Sequence, residues 1–162
     1  MFARAARRAV PLALLGALAV PTGPAVAVPV PDPLWATVNV CDTLRHPNEI
    51  GLRAAMPGRP AGTARSMRFR VQWRDGDRWR YVDGADSGWR GLSRARGRRV
   101  ESGWSFEVAP AQQPITFRGV VRYRWSKAGR IVRRALELTE PGHRSTTGAD
   151  PEGYSAASCS IG

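Results

Sequence analysis

Arginine is the residue type through which this chain is best equipped to do chemistry. One run sets Met67, Phe69, Val71 and Trp73 against Arg68, Arg70, Gln72 and Arg74, and another sets Phe117, Val121, Tyr123 and Trp125 against Arg118, Arg122 and Arg124. Neighbouring side chains in a strand point to opposite faces, so each run predicts a strand with one apolar side and one arginine side. Guanidinium groups are planar forks that bind phosphate, sulfate and carboxylate through two parallel hydrogen bonds. A further basic run, Arg94, Arg96, Arg98 and Arg99, lies in the loop before Trp104.

Other reactive groups are sparse. Cys41 and Cys159 are the only cysteines, and a pair near the two ends of the chain predicts a disulfide if the chain reaches an oxidising compartment. Their separation and the scarcity of histidine, with only His46 and His143, do not fit a structural zinc site. No Gly-x-Ser-x-Gly elbow is present, and His143 and His46 both sit in turn-rich segments where a solvated histidine is the simpler expectation. Glycoside hydrolysis needs two carboxyl groups, for which Asp75 with Asp77, Asp83 with Asp86, and Glu137 with Glu140 are the candidates. Each pair lies in or beside a turn, where an acid is favoured for local backbone bonding, so a secreted hydrolase is the weaker expectation. The Asp-Gly turns do not match an EF-hand loop, and neither metal nor cofactor is expected.

The opening residues bear on location. Arg4, Arg7 and Arg8 precede an apolar stretch from Ala9 to Val20, and Ala25-Val26-Ala27 has the small-x-small pattern of a cleavage site. Residues 1–27 therefore read as a signal peptide, which predicts a secreted or envelope-associated protein. The prolines of Val28-Pro29-Val30-Pro31-Asp32-Pro33 favour a stiff extended leader over residues 28–33. Residues 34–162 remain as one domain, a size that can bury a core. Loss of the signal lowers the formal charge from +12 to +9, which still favours an anionic partner. Lys127 is the only lysine, and the abundance of Arg, Ala, Gly and Pro also fits the coding bias of a GC-rich genome, the compositional alternative.

Strands must position these groups. Ile50, Leu52, Ala54 and Met56 share one side of a run, as do Trp104, Phe106 and Val108, while no stretch has a convincing helical period. Asp75-Gly76-Asp77 and Ser126-Lys127-Ala128-Gly129 predict hairpin loops. After the second, Val132, Leu136 and Leu138 share a face interrupted by Arg134, which predicts a bulge or an edge strand over Ile131 to Thr139. A first strand from Trp35 to Cys41 and a last one around Ser155 to Ile161 would place the two cysteines on first and last strands. Trp73, Trp104 and Trp125 are expected in the core, whereas Trp35, Trp79 and Trp89 are left open as stacking candidates should they be exposed.

Seven or eight hairpin-linked strands, with Trp73 on an early central strand and a long run from Phe117 to Trp125, resemble the immunoglobulin-like and fibronectin-type-III-like β-sandwiches of exported bacterial proteins. The cysteine spacing departs from the antibody pattern, so the resemblance concerns architecture. It implies an all-β antiparallel sandwich in which the third, sixth and seventh strands are sheet neighbours. Arg68, Arg70, Arg74, Arg118, Arg122 and Arg124, with Arg133 as a further candidate, would then share one exposed face. The function expected is noncatalytic binding of an anionic polymer or surface at the cell envelope. The alternative is an extracellular protein-recognition module acting through loops or a sheet edge. Export disfavours nucleic acid as the partner.

Overall fold

The computed structural model describes residues 34–57, 62–92 and 99–162. The expected signal peptide, the proline leader, and Arg94, Arg96 and Arg98 lie outside the described residues. Nine strands run in chain order: β1 (Trp35–Cys41), β2 (Glu49–Met56), β3 (Thr63–Asp75), β4 (Arg78–Asp86), β5 (Arg90–Gly91), β6 (Val100–Glu107), β7 (Ile115–Lys127), β8 (Arg130–Leu138) and β9 (Cys159–Ile161). The fold is all-β and its sheets are antiparallel. The strand beyond the expected seven or eight is β5, only two residues long.

One sheet has the order β1-β2-β6, and the other has the order β4-β3-β7-β8, with β5 added on β3 and β9 on β7. The alternating runs meet between them. Ile50, Leu52, Ala54 and Met56 of β2 and Met67, Phe69 and Val71 of β3 are all buried, as are Val121, Tyr123 and Trp125 of β7. Two of these positions need more than apolar matching. The Tyr123 hydroxyl donates to the carbonyl of Trp35 at 2.6 Å, and burial pushes its ionisation well above that of an ordinary phenol. Gly119, on the same side of β7, admits Leu52 and Thr139 so closely that a Cβ there would stand 2.6 Å from Thr139 Cγ2 and 2.7 Å from Leu52 Cδ2.

After β8 the chain crosses to the smaller sheet. Glu140 N–H donates to the Ala36 carbonyl at 2.8 Å, Val38 and Ala156 exchange backbone bonds, and the Asn39 amide donates to the Gly148 carbonyl at 3.0 Å. This return segment buries Trp35 and Thr37 and delivers Cys159 to Cys41, where the disulfide joins first strand to last across 118 residues of chain.

Candidate functional site

Strands β3 and β7 are paired without interruption from Thr63 opposite Lys127 to Trp73 opposite Phe117. With Met67, Phe69, Val71, Val121, Tyr123 and Trp125 turned inward, the residues between them face out. That register sets Arg68 opposite Arg122, Gln72 opposite Arg118 and Ser66 opposite Arg124. The six arginines expected to share a face therefore do share one.

What holds them there is a set of aromatic rings. Strand β4 places Trp79 opposite Arg74 and Tyr81 opposite Gln72. The Arg70 guanidinium lies 3.6 Å from the Tyr81 ring centre, Arg118 lies 4.2 Å from that of Trp79, and Arg74 approaches the same indole at 5.5 Å. Further along, Arg124 sits 4.2 Å over Trp89. Stacking occupies the flat of a guanidinium and leaves its in-plane N–H groups free to donate. Several Nε groups are also fixed: Arg118 donates to Gln72 Oε1 at 2.9 Å, Arg124 to Ser66 Oγ at 3.1 Å, and Arg74 to the Gly76 carbonyl at 2.6 Å. Arg68 and Arg74 each commit a terminal nitrogen, to Asp86 and Asp77 respectively, while the terminal nitrogens of Arg118 and Arg124, which have no ion pair among the described residues, are placed to meet an anion.

Charge on this face is poorly balanced. Asp86, at the end of β4, accepts from Arg68 Nε at 2.7 Å, makes a second contact with Arg68 Nη2, and lies 3.3 Å from Arg70 Nε. The hydrogen bond from Arg68 is the main reason its carboxyl titrates below the usual range, assisted by the Gly88 N–H, and the same bond raises Arg68. At the hairpin, Asp77 lies 3.3 Å from Arg74. Arg122 is exposed and has no ion pair among the described residues. Burial first, and then the neighbouring charge of Arg74, lower the pKa of Arg118.

Some expected placements differ. Arg133 is opposite Trp125, on the core side of the sheet, with its guanidinium 4.9 Å over that ring; Arg134, opposite Arg124, joins the basic face instead. The cause is a register shift between Trp125 and Ser126, at the expected bulge. The same register turns Leu136 and Leu138 outward, 48% and 41% exposed, since β8 is an edge strand with Ala135 and Glu137 on its inner side. Trp104 is not core: it is 37% exposed at the edge strand β6 and carries Arg90 at 4.2 Å. Trp73 is half-buried at the core margin, Trp35 is buried, and Trp89 is 37% exposed. His143 is not a freely solvated histidine, because its ring stacks on Trp35 with centres 4.4 Å apart.

The sequence leaves Trp79 and Trp89 open as stacking residues, but neither their arginine partners, nor Tyr81, nor the role of Asp86 emerged from it. The signal was the alternation Arg78-Trp79-Arg80-Tyr81 directly after a hairpin, which puts both rings on one side of a strand. At least one carboxylate of each expected pair is engaged elsewhere, while Asp83 and Glu137 have no ion pair among the described residues. Asp75 meets Arg80, Asp77 meets Arg74, Asp86 meets Arg68, and Glu140 lies 3.2 Å from His143 Nε2. Glu137 is raised by burial and then by Glu140. Among the described residues no three His, Cys, Asp or Glu side chains gather as a metal site. No protein-family model matches the chain, and no curated protein matches it either.

Proposed function

We propose that this protein is an exported, noncatalytic binding module whose arginine-lined sheet face takes an anionic polymer or anionic surface at the cell envelope. The observation that carries this reading is the row of arginines fixed over Tyr81, Trp79 and Trp89, with Asp86 set against Arg68 and Arg70 and Asp77 against Arg74. Fixing the forks in advance lowers the ordering cost of binding, and like charges set opposite one another, as Arg68 and Arg122 are, gain from an external counter-ion. Export is supported by the signal-like residues 1–27 and agrees with the disulfide, a bond that persists in oxidising compartments. Arginine contacts to a polyanion release counterions, so affinity should fall steeply with salt and select weakly among sequences of the polymer.

The test is a salt titration of the purified protein against acidic polysaccharides, phosphate-bearing cell-wall polymer and anionic vesicles. Beside it runs a variant carrying Arg122→Glu and Arg124→Glu, which leaves the Arg68–Asp86 pair intact. The expected result is binding that weakens with salt and is lost in the variant. Binding indifferent to salt and to both substitutions would reject the face as a site.

A further inference from the structure

The outer edge of β8 is the other feature of this fold that asks for a partner. Its backbone is paired on one side only, with β7, so the opposite side presents unpaired N–H and C=O groups. Edge strands are normally protected by inward charges, prolines or a covering segment. Here β8 has no proline, its inward positions carry the charges of Arg133 and Glu137, and Ile131, Val132, Leu136 and Leu138 are 41%, 59%, 48% and 41% exposed.

The charges on this strand decide what fits. On the inner side Arg133, Ala135 and Glu137 follow one another at alternate positions, opposite Trp125, Tyr123 and Val121. Arg133 and Glu137 have no ion-pair partner among the described residues; Arg133 rests over Trp125, and burial keeps Glu137 raised. Opposite charges two places either side of a central alanine are self-complementary under a two-fold axis. If a second β8 runs antiparallel with Ala135 on the axis, Arg133 faces Glu137 of the second copy, and Glu137 faces its Arg133. Arg134 then faces Leu136, so an aliphatic stem meets a leucine on the outer side; Val132, the residue skipped at the register shift, lies outside this ladder.

The backbone agrees with this register. Thr139 N–H donates inward to Gly119 O at 3.1 Å, so Leu138, Leu136 and Arg134, at alternate positions, turn their backbone groups to the free edge. Arg134 and Leu136 then form the hydrogen-bonded pairs, and Arg133 and Glu137 the closer non-hydrogen-bonded ones. An axis at Arg134 would instead set two arginines against each other, and one at Leu136 would leave Glu137 opposite alanine.

We propose that β8 pairs antiparallel with β8 of a second copy of this chain about an axis at Ala135, joining two sheets into one. This inference stands apart from the polyanion reading, although such a dimer would also place two arginine faces side by side on one surface. A single edge pair buries less than a standard interface, so the association is concentration-dependent and reversible.

Sedimentation equilibrium of the purified protein, in buffer without any polyanion, tests it. The expected result is a monomer–dimer equilibrium that weakens at least tenfold in Arg133→Glu and likewise in Glu137→Arg. An equimolar mixture of the two variants should restore dimer, because each charge then meets its opposite in the mixed pair. Thermal melting of each variant alone checks that it is folded. A wild type that stays monomeric to its solubility limit, single variants that dimerise as well as wild type, or a mixture that does not recover would each overturn the proposal.

Discussion

A carboxylate that accepts from Arg68 and lies 3.3 Å from Arg70 has two opposed effects on this protein. It relieves repulsion on a crowded basic face, which favours folding, and it competes for the same guanidinium groups that an external anion would use. Asp86→Asn separates the two. The folded-state pKa of Asp86 is depressed, so its stabilisation is fully present above the unfolded value of about 3.9 and is lost as pH falls through the lower folded value. The variant should unfold at lower urea than wild type near neutrality, and the gap should close in acid. Under the same polyanion titration it should bind more tightly, because Arg68 and Arg70 are released. Urea melts across the acid range check the first outcome; a variant that binds more weakly than wild type would show that Asp86 positions the forks more than it competes for them.

At the level of single strands, the sequence was legible wherever a strand buries one side and exposes the other. Strands β3 and β7 do so along their arginine-bearing stretches, where Met67, Phe69, Val71, Val121, Tyr123 and Trp125 are core; β2 turns Ile50, Leu52, Ala54 and Met56 inward as expected, though its other side is also largely covered. It failed at the edges, where the rule loses its cause. Strand β8 lacks a full covering layer, so its leucines face solvent and its inner positions hold Ala135 and Glu137; a bulge of one residue decides which set turns inward. Trp104, on the edge strand β6, lies open for the same reason. The six arginines were legible because β3 and β7 are central. The rings that hold them were not, since cross-strand partners depend on register.

Gly119 was also illegible, because it interrupts the apolar alternation of β7 between Phe117 and Val121. In the fold that gap is occupied by Leu52 from the facing sheet and by Thr139, whose hydroxyl accepts from Gly119 N–H at 3.0 Å. A methyl group there must displace a buried leucine, and overpacking of this kind costs about 1–3 kcal/mol. Gly119→Ala should lower the urea midpoint accordingly. A neutral result would show that Leu52 and Thr139 can withdraw together.

Across the whole molecule, the disulfide is the one covalent tie between sheets, linking β1 of the smaller sheet to β9, which pairs with β7 of the larger. Its cysteines are 118 residues apart, so it constrains nearly all of the described chain when unfolded. Loop closure on that scale is worth about 5 kcal/mol in the chain-entropy account, a large share of the about 5–15 kcal/mol that stabilises a typical domain. Replacing both cysteines by serine should therefore remove most of the margin, and the slope of the urea transition should rise, because the unbridged unfolded chain exposes more surface. The arginine face lies on β3 and β7, whose mutual pairing spans eleven residue pairs and does not include the bridge. Under conditions where the serine variant is still folded, it should bind a polyanion as wild type does. Weakened binding in a folded variant would mean that the tie between sheets also sets the geometry of the face; a stability loss below about 1 kcal/mol would mean that the unfolded chain is held compact by something other than the bridge.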